Sequence, residues 1–189
     1  STIIRKVDET FIEKKSKFIA YTFPILNETV FKKTLIELKE LHPKANHHCW
    51  AYILEYSGEI EKCSDDGEPS GAAGLPILGQ LKSKKLTYCA CIVVRYFGGI
   101  KLGKGGMIKA YKEAARQSIE CASVIEKDIC INYIIKIKYS HMDRIMQLIK
   151  RDNILINRKE ISEISIFDIE IPLNIADSIS KKLNDMYAS

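Results

Sequence analysis

The spacing of apolar and polar positions changes period several times along the chain, and each change marks an element. Phe11 to Pro24 has the pattern of one strand or of a hairpin pair. From Glu28 to Leu41, Val30, Leu35, Leu38 and Leu41 recur at helical spacing, with Asn27 placed to cap the helix and His42-Pro43 to stop it. His47 to Tyr56 and Glu59 to Cys63 flank Ser57-Gly58, which predicts a β-hairpin. The turn-rich stretch Ser64-Asp-Asp-Gly-Glu-Pro-Ser-Gly71 precedes a helix predicted from Ala72 to Lys82. Leu86 to Tyr96 is apolar and β-branched on both faces, as a central strand should be. A glycine-rich loop from Phe97 to Gly106 then leads into a helix predicted from Met107 to Ala122.

Beyond Asp128 the character changes: glycine disappears and isoleucine dominates. The pattern predicts a strand (Ile129 to Tyr139), a helix (Met142 to Lys150), two strands (Ile154 to Arg158 and Ile164 to Ile171) and a helix (Ile175 to Met186). This βαββα order suits a ferredoxin-like unit without its final strand. The fold class expected is therefore α+β, with an N-terminal domain over 1–130 and a C-terminal domain over 131–189. The open sheet edge of the latter would be the place for a protein partner.

Composition narrows the function classes. The longest apolar run, Cys89 to Val94, is far shorter than the ~20 residues of a membrane-crossing helix. With 46% hydrophobic and 28% charged residues the chain has material for a core, which argues against disorder. The net charge of +5 is modest, but it is unevenly spread. Lys82 to Arg116 carries a local net charge of +8 and Glu55 to Glu68 one of −5, whereas residues 131–189 are nearly balanced, with nine basic and eight acidic side chains. Such asymmetry suits either an anionic partner or two faces that pair with each other. The six cysteines lie inside apolar runs and the amino terminus lacks the apolar stretch of a secretory leader. They read as reduced thiols of a cytoplasmic protein.

The segment Gly98 to Gly105 matches seven positions of a phosphate-binding P-loop, but Gly105 lacks the hydroxyl needed for magnesium. A dinucleotide fingerprint begun at Gly103 breaks at Ile108. What remains is glycine-rich backbone at a helix start, flanked by lysines, which can hold an anion. On the following helix Lys109, Lys112 and Arg116 fall within about 60° of one another. Together with Arg95, Tyr96, Gly98, Gly99, Lys101, Gly103 and Lys104 they form a candidate nucleic-acid or anion surface, with Tyr88 and Phe97 interleaved for stacking. Asp65, Asp66 and Glu68, with Ser70, form a candidate acidic cleft that could act in acid–base chemistry, build a turn, or be held by Arg95. No nucleophile with a base partner accompanies them, so no catalytic residue is assigned. His47-His48-Cys49 alternates across a strand and Cys89-x-Cys91 lacks structural-zinc spacing, so neither a metal nor another cofactor is expected.

Ser64-Asp-Asp-Gly-Glu-Pro-Ser-Gly71 and Val93-Val-Arg-Tyr-Phe-Gly-Gly-Ile-Lys-Leu-Gly103, with Gly74-Leu-Pro-Ile-Leu78 between them and Lys14-Lys-Ser-Lys-Phe-Ile-Ala20 upstream, closely resemble the IMPACT/YigZ family. The resemblance implies an N-terminal domain with the fold shared by the second domain of a ribosomal small-subunit protein and ribonuclease PH. It implies a C-terminal ferredoxin-like domain similar to domain V of elongation factor G. Ala72, Leu75 and Lys104 stand where the family commonly has Thr, Lys or Arg, and Thr; the first two departures remove polar groups near the acidic loop, and the third makes the P-loop likeness a coincidence. The function expected is that of a non-catalytic RNA- or ribosome-associated protein, related to translation, that binds through the basic glycine-rich surface. The alternatives are an enzyme acting on a phosphorylated or nucleotide substrate between the acidic 65–68 loop and Arg95, and a protein-binding regulator.

Overall fold

The structure, a computed structural model, describes residues 1–55 and 57–187. Tyr56, expected to end a strand, lies outside the described residues. The chain divides into two compact units, Ser1–Lys127 and Asp128–Ser189. Residues 128–130, expected in the N-terminal domain, therefore belong to the second unit, where Cys130 opens a strand.

The first unit contains β1 (Thr2–Ile3), β2 (Val7–Glu13), β3 (Ser16–Pro24), α1 (Glu28–Leu41), β4 (His47–Leu54), β5 (Ile60–Ser64), α2 (Gly74–Ser83), β6 (Cys89–Tyr96), α3 (Gly103–Cys121) and β7 (Val124–Ile125). Five strands form one antiparallel sheet in the order β2-β3-β6-β4-β5, and β1 pairs with β7. β6 lies at the centre, as its apolar faces predict, and its residues Cys89 to Arg95 are all buried. Because side chains alternate across a strand, the sheet has two apolar faces. Phe18, Ala20, Cys49, Ala51, Cys91 and Val93 pack with residues of α2 and α3. Ile19, Tyr21, Tyr52, Ile92 and Val94 pack with Phe31 and Leu38 of α1. The unit thus has three layers, and Arg95 near the end of β6 lies on the α2/α3 side.

Several boundaries differ from those expected. The β2–β3 turn places Lys14 and Lys15 at φ 44° and 65°, without the Asn or Gly that normally announces such a turn. Strand β6 begins three residues after Leu86, beyond Tyr88, whose φ of 52° interrupts an extended run. Helix α3 starts at Gly103, four residues before Met107, so Gly103 to Gly106 form its first turn instead of a loop. Glycine's low helix propensity conceals that turn in the sequence. The pair β1–β7 has two residues per strand, too few to show a period.

The second unit runs β8 (Cys130–Lys138), α4 (Met142–Arg151), β9 (Leu155–Glu160), β10 (Ile164–Pro172) and α5 (Leu173–Tyr187), with sheet order β8-β10-β9. The βαββα order is the one expected. Ile135, Ile145, Leu148, Phe167, Ile169, Ile171, Ile179 and Leu183 form its core. β8 pairs with β10 alone among the described residues. Beside its other edge a groove of about 390 Å³ is lined by Tyr133 to Lys136 and by Ser180, Leu183 and Asn184 of α5. No described helix of either unit is long and apolar enough to cross a membrane.

Gly98 shows how two separated motifs depend on each other. A Cβ there would lie 2.0 Å from the Lys15 carbonyl carbon and 2.5 Å from the Ser16 amide nitrogen, distances that no relaxation of a flexible side chain can relieve. The Gly98 N–H donates to the buried Ser16 hydroxyl at 3.2 Å. Gly98→Ala is therefore expected to destabilise the first unit by about 3 kcal/mol, the upper part of the usual overpacking range. Urea unfolding of this variant against the parent checks the value, and a change under about 0.5 kcal/mol, the scatter of ordinary surface substitutions, would contradict the close approach.

Candidate functional site

Direct strand pairing brings Phe18, Arg95 and His47 into one row, because Arg95 opposes Phe18 on β3 and His47 on β4. Cross-strand partners project to the same face, here toward α3. The Arg95 side chain is 6% exposed and that of Glu68 3%, and Arg95 Nη1 donates to Glu68 Oε1. The same carboxylate oxygen accepts from the Tyr111 hydroxyl of α3 at 2.7 Å. The guanidinium carbon lies 5.5 Å from the Phe18 ring centre and 5.6 Å from that of Phe97. Arg95 Nη1 also meets Met107 Sδ at 3.6 Å, whereas Nε has no partner among the described residues. Burial pushes the Tyr111 phenol well above its ordinary range, so it remains a hydrogen-bond donor to Glu68.

The rest of the acidic loop is tied down just as firmly. Asp65 accepts from the backbone N–H groups of Gly71, Ala73 and Gly74 at 2.8–2.9 Å, and so caps the start of α2 from nine residues upstream. Its burial pushes the carboxyl up, but the three N–H groups together with Lys104 outweigh this and hold it below the ordinary value. Asp66 Oδ2 accepts from the His48 backbone N–H, and the Asp66 carbonyl accepts from His47 Nδ1 at 2.8 Å. The other ring nitrogen of His47, Nε2, lies 3.9 Å from Glu68 Oε1. Asn46 Oδ1 accepts from the Phe97 N–H at 2.8 Å, which sets the start of the glycine-rich stretch.

These fixed groups enclose a cleft of about 360 Å³, lined by Asn46, His47, Glu68, Pro69, Arg95, Phe97, Lys101, Leu102, Gly103 and Met107. The acidic loop and the glycine-rich stretch therefore share one groove. Residues 14–119, which contain all of it, match the family model of the Impact N-terminal domain. The chain belongs to the IMPACT family. It is similar to the IMPACT family member YigZ of Escherichia coli K12, 30% identical over 189 residues that cover 98% of this chain and 93% of that protein. It is also similar to the IMPACT family member YvyE of Bacillus subtilis, 29% identical over 185 residues and covering 98% and 85% respectively. A crystal structure described as that of a hypothetical protein aligns over 98% of this chain and 91% of its own, with a TM-score of 0.71 and 28% identity.

Against this IMPACT domain, the candidate residues divide into several groups. Arg95, Glu68, Lys101 and Gly103 line the cleft. Lys104, Lys109 and Lys112 are exposed at and beyond the start of α3, and Gly99 is an exposed bend with φ 85°. Tyr96 lies on the opposite face of the sheet, where its hydroxyl meets His42 Nδ1 at 2.9 Å, so it does not join the basic groups. Tyr88 also packs with the α1-side core. Arg116 is held by Glu113 and Glu120 of its own helix, and the Arg116 guanidinium, then the Gln117 amide, bring the Glu113 carboxyl down to about 2. Gly98 is occupied by its approach to Lys15, and Ser70 is exposed at the turn. The basic and acidic stretches meet at two ion pairs, Lys82–Glu61 and Arg95–Glu68.

Sequence reasoning missed Asn46, His47 and Met107 as parts of the cleft. For His47 a signal existed: it shares a strand face with Cys49, Ala51 and Ile53, the face that α2 and α3 cover. The cysteines are all free. Burial pushes the Cys89 and Cys91 thiols up to about 12, which leaves them as core groups and not nucleophiles. Among the described residues no group of three or more His, Cys, Asp or Glu side chains is placed to hold a metal.

Two outcomes follow from this geometry. Glu68→Ala strands a buried guanidinium and should cost about 3–5 kcal/mol, read by urea denaturation; a loss under about 1 kcal/mol, the worth of an exposed pair, would show that the pair is open to solvent. Asp65 has a lowered folded-state pKa, so its stabilisation is complete above its unfolded value and is lost as pH falls through the folded one. Stability measured from neutral pH down to pH about 2 should fall more steeply below pH about 4, the unfolded carboxylate value, for the parent than for Asp65→Asn. Parallel curves would contradict the cap.

Proposed function

We propose that this chain is a non-catalytic, RNA-binding protein related to translation, which engages RNA, including that of the ribosome, through the basic surface that begins at the cleft. The observation that carries this reading is the group of lysines at and after the start of α3: Lys101, Lys104, Lys109 and Lys112. All four are exposed, and none makes an ion pair with the described residues. Lys104 and Lys112 lie on one helix, about 12 Å apart along its axis at 1.5 Å per residue. That span covers three to four phosphates of a stacked strand at about 3.4 Å each. Arg116, one turn farther, is withdrawn by Glu113 and Glu120 and does not add to this group.

The non-catalytic part of the reading rests on the carboxylates. Asp65 is held by three N–H groups, Asp66 by His48 and Lys39, and Glu68 by Arg95 and Tyr111. Each of the three therefore already has partners of its own, which speaks against a free general base in this loop. The second unit, with its balanced charge, contributes little to phosphate attraction. Its unpaired β8 edge is where we place contact with a protein partner.

Neutralised phosphates release counterions, so affinity should fall linearly on a logarithmic salt scale. For the full chain and a structured RNA carrying a single-stranded end, the Lys109→Ala/Lys112→Ala variant should bind more weakly and lower the salt slope by about 1 for each lysine lost. Filter binding or fluorescence anisotropy between about 50 and 200 mM salt reads both quantities. No detectable RNA binding at the low-salt end, or a slope unchanged in the double variant, would overturn the proposal.

A further inference from the structure

The cleft holds features that a group of surface lysines does not explain. Helix α3 starts with no side-chain cap: Leu102 occupies the cap position and offers no acceptor, so the N–H groups of the first turn remain unclaimed. At this end, Gly103 has φ 70°, and neither Gly103 nor Gly105 would bring a Cβ within 4 Å of other atoms. The approach to the helix start is therefore open. Independently, Arg95, nine-tenths buried and paired through Nη1 with Glu68, lines the same cleft, and its Nε lacks a partner among the described residues. A buried donor left unmatched costs free energy unless something answers it.

The remaining lining groups describe the ligand. Phe97 is 45% exposed and presents one ring to the cleft while contacting Arg95, an arrangement suited to stacking a flat base. Asn46 has committed its oxygen to Phe97 N–H, which leaves its amide N–H donors. His47 has committed Nδ1 to the Asp66 carbonyl, and its Nε2 lies 3.9 Å from Glu68 Oε1. Lys101 stands at the mouth beside the helix start. The volume, about 360 Å³, lies at the small end of ligand pockets, which run from about 300 to 1,000 Å³. It suits one nucleotide and not a strand passing through.

We propose that this cleft binds a nucleoside monophosphate unit, the terminal phosphorylated nucleotide of an RNA, with the base on Phe97 and the phosphate at the start of α3 between Lys101 and Arg95. The inference rests on the RNA reading above for its polymer, but the site is tested with a monomer. Full-length protein is titrated by calorimetry at low salt with AMP, adenosine and inorganic phosphate. AMP is expected to bind, and adenosine and phosphate each to bind at least about tenfold more weakly, because stacking and phosphate contacts contribute jointly. Phe97→Leu and Lys101→Ala should each weaken AMP about tenfold. Lys109→Ala/Lys112→Ala should leave AMP unaffected while weakening RNA.

Both single substitutions are at exposed side chains, and urea unfolding confirms that each variant folds. If Phe97→Leu proves unstable, Lys101→Ala carries the test. Absent AMP binding with intact RNA binding overturns the cleft proposal and leaves the lysine group standing. AMP binding that neither single variant weakens also overturns it. Binding of phosphate as tightly as AMP removes the base from the site and overturns the nucleotide assignment. AMP binding that both variants weaken, in a protein that binds no RNA, supports the cleft and overturns the polymer reading.

Discussion

A guanidinium and a carboxylate buried together between a sheet and a helix constrain everything around them. The Arg95–Glu68 pair has 6% and 3% side-chain exposure, and a charge so far from water is tolerated only with its partner and further hydrogen bonds in place. Tyr111 supplies one of those bonds, Phe18 and Phe97 cover the guanidinium, and the loop bearing Glu68 must therefore pack against the end of β6. Three elements distant in sequence are fixed by one contact: a turn-rich loop, the end of a central strand, and the middle of a helix. The cleft is the space left where they meet, and its position follows from the pair.

The order of elements was legible because each long segment carries a clear period. The Asn27 cap and its helix α1, the β4–β5 hairpin, the central β6 and the βαββα order of the second unit all appear as the pattern implied. The failures have local causes. The β2–β3 turn uses two lysines at positive φ, so no Asn or Gly marks it. The first turn of α3 is built from Gly103, which enters it at φ 70°, and from Lys104, Gly105 and Gly106, so glycine's low propensity leaves no helical signal there.

The site was legible in its charges and less so in its geometry. That Asp65, Asp66 and Glu68 face Arg95 across one groove was among the readings open from sequence; of the three, the structure brings only Glu68 to Arg95 and the cleft, while Asp65 is held by the N–H groups at the start of α2 and Asp66 by the His48 N–H. Yet the linear count of nine basic residues between Lys82 and Arg116 merges groups that the fold separates. Lys82 pairs with Glu61 of β5, Lys84 approaches Glu120, and Arg116 is claimed by Glu113 and Glu120. Tyr96 follows Arg95 directly and so must lie on the opposite face of the sheet. Ion pairing within a helix is readable at spacings of three and four. Pairing between elements needs the register.

The sheet order β2-β3-β6-β4-β5 governs how the first unit must be assembled. The β2–β3 and β4–β5 hairpins join neighbours in sequence, while β6 has to insert between them, pairing Lys17 with Tyr96 on one side and His47 with Arg95 on the other. During synthesis, which runs from the amino terminus, both hairpins are complete long before β6 emerges. Until then β3 and β4 each expose an inner edge of unpaired backbone groups, and α1 has only half a sheet to cover. Closure of long intervening loops sets the pace of such a topology. The nascent chain therefore cannot seal its core before residue 96 has left the exit tunnel, and truncation anywhere short of that point leaves two separate sticky ribbons instead of a smaller domain.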